Sequence, residues 1–307
     1  MNMKWLERWF DKIEPKGKWA WLGSTYEAFH TFAFTPKTVT RTGSHIRDAV
    51  DMKRSIIVVV IALIPALLFG MWNIGYQTNL AAGTDWGFWH CFWFGLLRML
   101  PMIVVSYAVG LFIEFAFAQA RHHEVNEGFL ATGLLIPMIV PVTTPLWQLA
   151  LAVAFAVIIG KEVFGGSGMN FLNPALVARA FLFFSYPTHM SGDKVWIAND
   201  LWGSDAIAGA TPMGQLATGL HPSASALDML IGTIPGSTCE TSVIAIALGA
   251  ILLLMTGIAS WRIMFSVFLG GGTMGLLFNI IGANDYMLLP FYYHFLMGGF
   301  AFGAVFI

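Results

Sequence analysis

Charge is what this chain has least of. Only 11% of its 307 residues are Asp, Glu, Lys or Arg, against 57% hydrophobic residues and a mean hydropathy of +0.70. That balance excludes a soluble globule, which could not hide so much apolar surface, and implies a polytopic membrane protein. Cysteine is nearly absent. Cys91 and Cys239 are far apart and form neither a CxxC metal motif nor a disulfide framework, so this chain alone is not expected to hold an iron–sulfur cluster. A short apolar run with a small-residue cleavage site is also missing from the N-terminus, which opens on charged and Trp-rich residues, so no cleavable signal peptide is expected. Histidines are lacking inside the apolar runs. His122 and His123 read as loop, His90 and His294 as helix ends, and the rest as soluble stretches, which leaves no facing pair for a transmembrane haem.

What charge there is lies unevenly. The net charge is −1, yet ten of the sixteen Lys and Arg precede residue 55. Residues 1–54 therefore read as a soluble N-terminal extension. Its start, "MKWLERWFDKIEP", spaces Trp5, Leu6, Trp9, Phe10 and Ile13 as one face of a helix against Lys4, Glu7, Arg8, Asp11 and Lys12. Such a helix fits a membrane surface, a partner, or the protein's own soluble face. Residues 55–307 form the membrane domain. Apolar segments run at 56–72, within 88–117, and at 129–142, 146–159, 171–184, 243–257, 263–281 and 291–307, which predicts eight transmembrane segments. The last segment is still apolar at Ile307, so further segments are expected beyond it.

Several of these segments are short or interrupted. Pro137 and Pro141 break the third, and "GGSGMNFLNPA" leads into the fifth. Irregular backbone at membrane depth is tolerated only where it lines a cavity or is covered by protein, so a site inside the bundle is expected. Ionisable residues within apolar runs point the same way, because each is costly in a bilayer and usually serves a pathway or a pair. Glu114 is the clearest; Gly110, one turn away, leaves room on that face for something bulky. Alternatively Glu114 meets water at the helix end or pairs with Arg121. Arg98 and Arg179 read as counter-charges, and Glu127, Lys161 and Glu162 as interfacial. Asn170 and Asn173 can donate and accept without charge, which suits a polar ring ligand, although Asn173 before Pro174 is also a helix-entry cap.

The stretch "DAIAGATPMGQ", 205–215, carries a lone hydroxyl among small residues. Thr211 before Pro212 is an N-cap pattern, with Pro at the first helical position. No base for activating that hydroxyl lies nearby. Composition and spacing leave three function classes open: a solute channel or transporter, a haem subunit, for which no histidine pair exists, and a flavin subunit.

The stretches "GKEVFGGSGMNFLNPALVARAFLFFSYP", "SGDKVW", "GIASWRI" and "GGFAFG" narrow the choice. On these the chain resembles the B subunit of the bacterial sodium-translocating NADH:quinone oxidoreductase, and the similarity extends over the N-terminal extension. The D subunit of the related Rnf ferredoxin:NAD oxidoreductase is similar only from the first membrane helix onward. A urea-transporter-like channel is the remaining alternative.

The resemblance implies an all-α fold of two inverted five-helix repeats arranged as in urea transporters. It implies an electron-transfer subunit of a six-subunit translocase in the bacterial inner membrane, with no nucleic-acid partner. Electrons would pass from covalent FMN through riboflavin to a quinone, coupled to sodium export. It further implies that a flavin transferase, using FAD as donor, attaches FMN to Thr211 within a motif that this chain keeps at Asp205, Gly209, Ala210 and Thr211. Ala206 and Ala208 replace the motif's usual Gly and Ser or Thr. Asn170 and Asn173 match a segment associated with riboflavin. Glu114 matches a glutamate of the sodium pathway, beside a quinone-linked glycine pair of which this chain keeps Gly110 but has Leu111 in place of the second. No residue is assigned a catalytic role in bond making.

Orientation follows from the basic residues, since those of short loops stay on the cytoplasmic side. With the N-terminus inside and every segment crossing, the inner loops hold Arg121, Lys161 and Arg262 besides the N-terminal ten, and the outer loops hold only Lys194. The span 186–240, which contains Thr211, is then an outer loop. A cysteine introduced at residue 45 is expected to react with an impermeant thiol reagent only from the cytoplasmic side of sealed vesicles; labelling from the other side would reverse the assignment.

Overall fold

The structure, a computed structural model, describes residues 9–10, 12–15, 23–34, 40, 42–44, 52–121, 125, 128–191, 195–198, 209–284 and 287–307. Glu127, Lys194, Asp205, Ala206, Ala208, His122 and His123 lie outside the described residues, as does most of the predicted amphipathic segment. Among the described residues all regular structure is helical. The helices are α1 Gly23–Ala33, α2 Met52–Ala82, α3 Phe88–Arg121, α4 Phe129–Met138, α5 Leu146–Ile158, α6 Pro174–Ser185 and α7 Pro187–Met190. They continue as α8 Pro212–Ala217, α9 Ala226–Ile231, α10 Val243–Met255, α11 Trp261–Ile281, α12 Tyr293–Leu296 and α13 Gly298–Phe306.

Four apolar helices are long enough to cross a bilayer: Met52–Ala82, Phe88–Arg121, Leu146–Phe164, which extends α5 through the 3-10 turn at Glu162–Phe164, and Trp261–Ile281. The other predicted segments also contain helix, but α4, α6, α10 and α13 have only 10, 12, 13 and 9 residues. At 1.5 Å per residue these reach about 14–20 Å, less than the roughly 30 Å hydrocarbon core. Length alone thus supports four spans where the apolar pattern predicts eight. Local chemistry sets the short lengths. Pro137 sits at the end of α4 with Pro141 beyond it, and α6 and α10 begin at the side-chain caps of Asn173 and Ser242.

The two longest helices, α2 and α3, pack together through small residues. Each also buries a stripe against the rest of the bundle, on α2 Ala62, Ala66, Gly70, Asn73 and Gln77, and on α3 Met99, Met102, Ser106, Gly110, Glu114 and Ala118. Each set repeats every three or four residues, one stripe of a helix. A β-carbon on Gly75 would strike the Cys91 backbone and one on Gly95 the Met71 carbonyl, so the backbones touch where the helices meet. Close approach of this kind is how apolar helices gain packing where solvent supplies no driving force.

The most buried irregular segment is Ile234–Ser242, most of which falls at the end of the span expected to be an outer loop. Ser237, Thr238, Cys239, Glu240, Thr241 and Ser242 are all buried. The Cys239 N–H donates to the Met138 carbonyl at 3.0 Å and the Thr238 N–H to that of Val140 at 3.2 Å, while the Thr238 hydroxyl donates to the Pro137 carbonyl at 2.6 Å. On its other side the Asn73 amide donates to the Ile234 carbonyl at 3.1 Å and to the Thr241 hydroxyl at 3.3 Å. The span 186–240 is therefore loop only in part; its polar end plugs the broken tip of α4, because carbonyls freed inside a bundle need donors.

Of the N-terminal residues, Phe10 makes ring contacts with Tyr26, His30 and Phe34, while Trp9 and Ile13 stay exposed. α1 is fastened to the end of α3 by the Gln119 amide donating to the Thr25 hydroxyl at 2.8 Å and by Phe29 against Phe115. Of the readings open for this region, docking on the protein's own surface is the one realised at Phe10.

Replacing Gly95 with Ala is expected to destabilise the solubilised protein by about 1–3 kcal/mol, since the new methyl meets backbone that cannot step aside. Gly270→Ala, where nothing lies within 4 Å, should be neutral or slightly stabilising. Thermal unfolding of the two variants side by side checks the contrast.

Candidate functional site

Thr211 occupies the N-cap of α8. Pro212 excludes helical dihedrals from the residue before it, and Thr211 is extended at φ −64°, ψ 155°, with its hydroxyl oxygen accepting from the Gly214 N–H at 3.0 Å. The side chain is half-exposed. Gly209 is buried, and a β-carbon there would collide with Ile197 and sit 3.5 Å from Pro235. A side chain at 209 would have to displace the tip of Ile197, so packing favours glycine there, in addition to the slender profile expected from the sequence. Ala210 is half-buried.

Thr211 opens onto a cavity of about 490 Å³. Its walls come from separate parts of the chain. α11 contributes Gly271, Met274, Gly275 and Phe278, and the start of α13 contributes Gly298, Gly299 and Phe300. Arg179 of α6 and Glu240 of the plug segment are an ion pair on its wall, with Arg179 Nη1 donating to the two carboxylate oxygens at 3.0 and 2.9 Å. Arg179 is thus a counter-charge, as its place in an apolar run suggests, and Glu240 is its partner. Sequence reasoning misses Glu240, Ser237 and the glycine walls. Glu240 lies in a polar stretch that reads as loop, and the only signal for the walls is the glycine clusters at 270–272 and 298–299.

A second set of charges gathers where α3 ends. Glu114 pairs with Lys161, and Arg121 pairs with Glu162 through Nη1 at 3.3 Å and donates from Nη2 to the Glu162 carbonyl at 2.8 Å. Lys161 and Glu162 are buried, each about 4% exposed, which corrects their assignment as interfacial. Arg121 is likewise not the partner of Glu114. The reason is geometric: the turn after α5 brings Lys161 and Glu162 against one face of α3 at two levels about two turns apart, Lys161 at Glu114 and Glu162 at Arg121. The room above Gly110 is filled by the Phe129 ring, which a β-carbon there would strike.

Asn170 and Asn173 act locally. The Asn170 carbonyl oxygen accepts from the Gly168 N–H at 3.3 Å and its amide donates to the Leu172 carbonyl at 2.8 Å; the Asn173 oxygen accepts from the Ala175 N–H at 2.9 Å as the cap of α6. Neither residue lines the cavity at Thr211.

Long apolar helices and shorter broken ones packed with them define a multi-pass membrane protein. The chain belongs to the NQR2, RnfD, RnfE family, whose model matches residues 39–307. Among curated proteins it is 45% identical to the B subunit of the Na(+)-translocating NADH-quinone reductase of Ectopseudomonas mendocina, over 98% of this chain and 82% of that one. It is 44% identical to the subunit of the same name from Chromohalobacter salexigens over 97% and 79%, and 43% identical to that of Azotobacter vinelandii over 98% and 82%.

The Glu114–Lys161 pair makes its own prediction. Removing one member of a buried pair strands the other, so Lys161→Met should lower stability by about 3–5 kcal/mol. Glu114→Gln with Lys161→Met should cost less than Lys161→Met alone. Thermal unfolding of the single and double variants measures the coupling, and equal losses would mean that the pair does not act as a unit.

Proposed function

We propose that this chain is the B subunit of a sodium-translocating NADH:quinone oxidoreductase in the bacterial inner membrane, and that it carries FMN as a phosphoester on Thr211. The observation that carries the reading is the opening of Thr211 onto the cavity whose wall holds Arg179 and Glu240. A cavity of about 490 Å³ falls within the roughly 300–1,000 Å³ usual for small-molecule sites, and its glycine and aromatic walls suit a flat ring system. The alignment with the B-subunit relatives covers 97–98% of the chain, so it takes in N-terminal residues before 39 that the shared family model leaves out. That coverage favours the B subunit over the Rnf subunit, and the charged pair on the cavity wall favours a flavin over a urea-like solute.

Attachment would form a bond from the Thr211 oxygen to the FMN phosphorus of FAD, with AMP leaving and the hydroxyl proton lost. A transferase would supply the base for that step. A bound flavin would supply one- and two-electron transfer; Thr211 would hold it, and the Arg179–Glu240 pair on the same cavity would orient it. Riboflavin as a second flavin near Asn170 and Asn173 belongs to the same reading, as do a quinone near Gly110, sodium drawn along a path past Glu114, and the six-subunit assembly. So do eight or more membrane segments in inverted repeats resembling urea transporters, with α4 and α10 as short helices that stop inside the bundle.

Thr211→Ala tests the central claim. The variant should insert and assemble, yet lose its in-gel flavin fluorescence and one FMN phosphoester of mass, and quinone reduction by the complex should fall at least tenfold. A variant that keeps the covalent flavin would place the attachment elsewhere. Glu114→Ala tests the sodium path separately: its turnover should need more sodium for half-maximal rate, and an unchanged dependence would remove Glu114 from the path.

A further inference from the structure

We infer that Arg179 and Glu240 set the reduction potential of the flavin on Thr211, with the arginine meeting the ring's pyrimidine edge in the cavity they share with Thr211. The inference rests on the attachment just proposed. Its basis is an asymmetry within the ion pair. Arg179 keeps 36% of its side chain exposed, whereas Glu240 keeps 8%, so the cation is the member with surface left for a ligand. Only Nη1 of Arg179 is used by Glu240; Nη2 and Nε have no hydrogen-bond partner among the described residues. A guanidinium has five N–H donors in a fixed plane, and the unused ones match a planar edge of carbonyl oxygen and ring nitrogen acceptors.

The walls restrict what can lie against the pair. Gly271 and Gly275 of α11 face the cavity together with Gly298 and Gly299 of α13. A β-carbon on Gly271 would press on the Phe300 ring at 2.5 Å, and one on Gly275 on Phe291 Cβ at 2.8 Å. Gly298 itself lies on the backbone of Glu240 and Thr241. The aromatic and thioether residues Phe300, Phe278 and Met274 also line the cavity wall, surfaces against which a flat ring can lie with an edge toward the ion pair. The tether is short, since the phosphate would hang from Thr211 on the same cavity.

The electrostatic consequence has a sign. Two electrons taken up with one proton leave a flavin ring with one negative charge, shared over its pyrimidine edge. A positive charge at that edge favours the reduced form and a negative charge disfavours it. Within a pair that is neutral overall, the nearer member prevails. Neutralising Arg179 should therefore lower the potential and neutralising Glu240 should raise it. A residue that only braces the fold would not produce opposite shifts from the two halves of one ion pair.

The experiment is a redox titration of the intact complex followed by flavin absorbance, with the Thr211→Ala complex subtracted to isolate this one flavin. Arg179→Gln is expected to retain the covalent flavin and to weaken reduction at least tenfold, a fall of about 30 mV for a two-electron couple. Arg179→Lys, which keeps the charge, should recover most of that fall. Glu240→Gln should shift the potential upward, and it decides the matter alone if Arg179→Gln does not assemble. Arg262→Gln serves as control, because Arg262 stacks on Trp261 and does not line the cavity. Potentials in Arg179→Gln and Glu240→Gln equal to the unsubstituted value, or shifted in the same direction, would overturn the inference. A complex with no phosphoester on Thr211 would instead defeat the attachment reading, which the mass of the unsubstituted subunit shows independently.

Discussion

The architecture depends on how the chain satisfies backbone polar groups where its helices stop inside the bundle. α4 ends after only 10 residues, and its last carbonyls would be orphaned among apolar neighbours. The plug segment Ile234–Ser242 answers them, with Cys239 and Thr238 donating to Met138, Val140 and Pro137. Each orphaned carbonyl in such surroundings would cost about 1–3 kcal/mol, so three satisfied together outweigh the poor regularity of the segment that satisfies them. Everything near Thr211 follows from this exchange. The plug positions Glu240, Glu240 fixes Arg179, and the start of α13 closes on the plug through Gly298.

Small residues are the second half of the same solution. Gly70 lies on the backbone of Thr238 and Cys239, and Gly249 of α10 lies on the Ala62 carbonyl of α2. A side chain at either position would push the plug or α10 away from α2, and the hydrogen bonds of Asn73 to Ile234 and Thr241 would lengthen beyond use. Burial of polar groups and close packing of backbone are therefore not independent here: the glycines bring the donors within reach. A further staple of this kind closes the far end of α11. There the Asn279 amide donates to the Met287 and Leu289 carbonyls at 2.7 and 2.6 Å, and its oxygen accepts from the Phe291 N–H at 3.1 Å.

Much of this is legible in the sequence, and what is not has a common cause. The apolar runs locate every long helix, Pro137 and Pro141 mark the break after α4, and Thr211-Pro212 and Asn173-Pro174 announce caps that the structure contains. Local chemistry decides such features. Pairing across the chain does not show in it. Glu114 finds Lys161 at a separation of 47 residues, and Arg179 finds Glu240 at 61. The stretch "TIPGSTCETS" misleads for a more specific reason. Its polarity reads as solvent exposure, because hydroxyls and a carboxylate are usually wet. Inside this bundle the same groups are needed as donors for broken helix ends, and polarity marks burial instead.

The two charge clusters also differ in what they can do. Glu114 and Lys161 are each covered to within 4% of full burial, and their charges are satisfied by each other. A buried pair of this kind adds little net stability over apolar packing. Arg179 and Glu240 are different in kind, because one member faces a cavity and retains donors. Thr211 stands on that cavity with an extended backbone and a hydroxyl at its mouth. On the reading proposed for Thr211, a tether there would limit where a ring can go, and the charge of Arg179 would decide which of its edges and charge states the protein prefers.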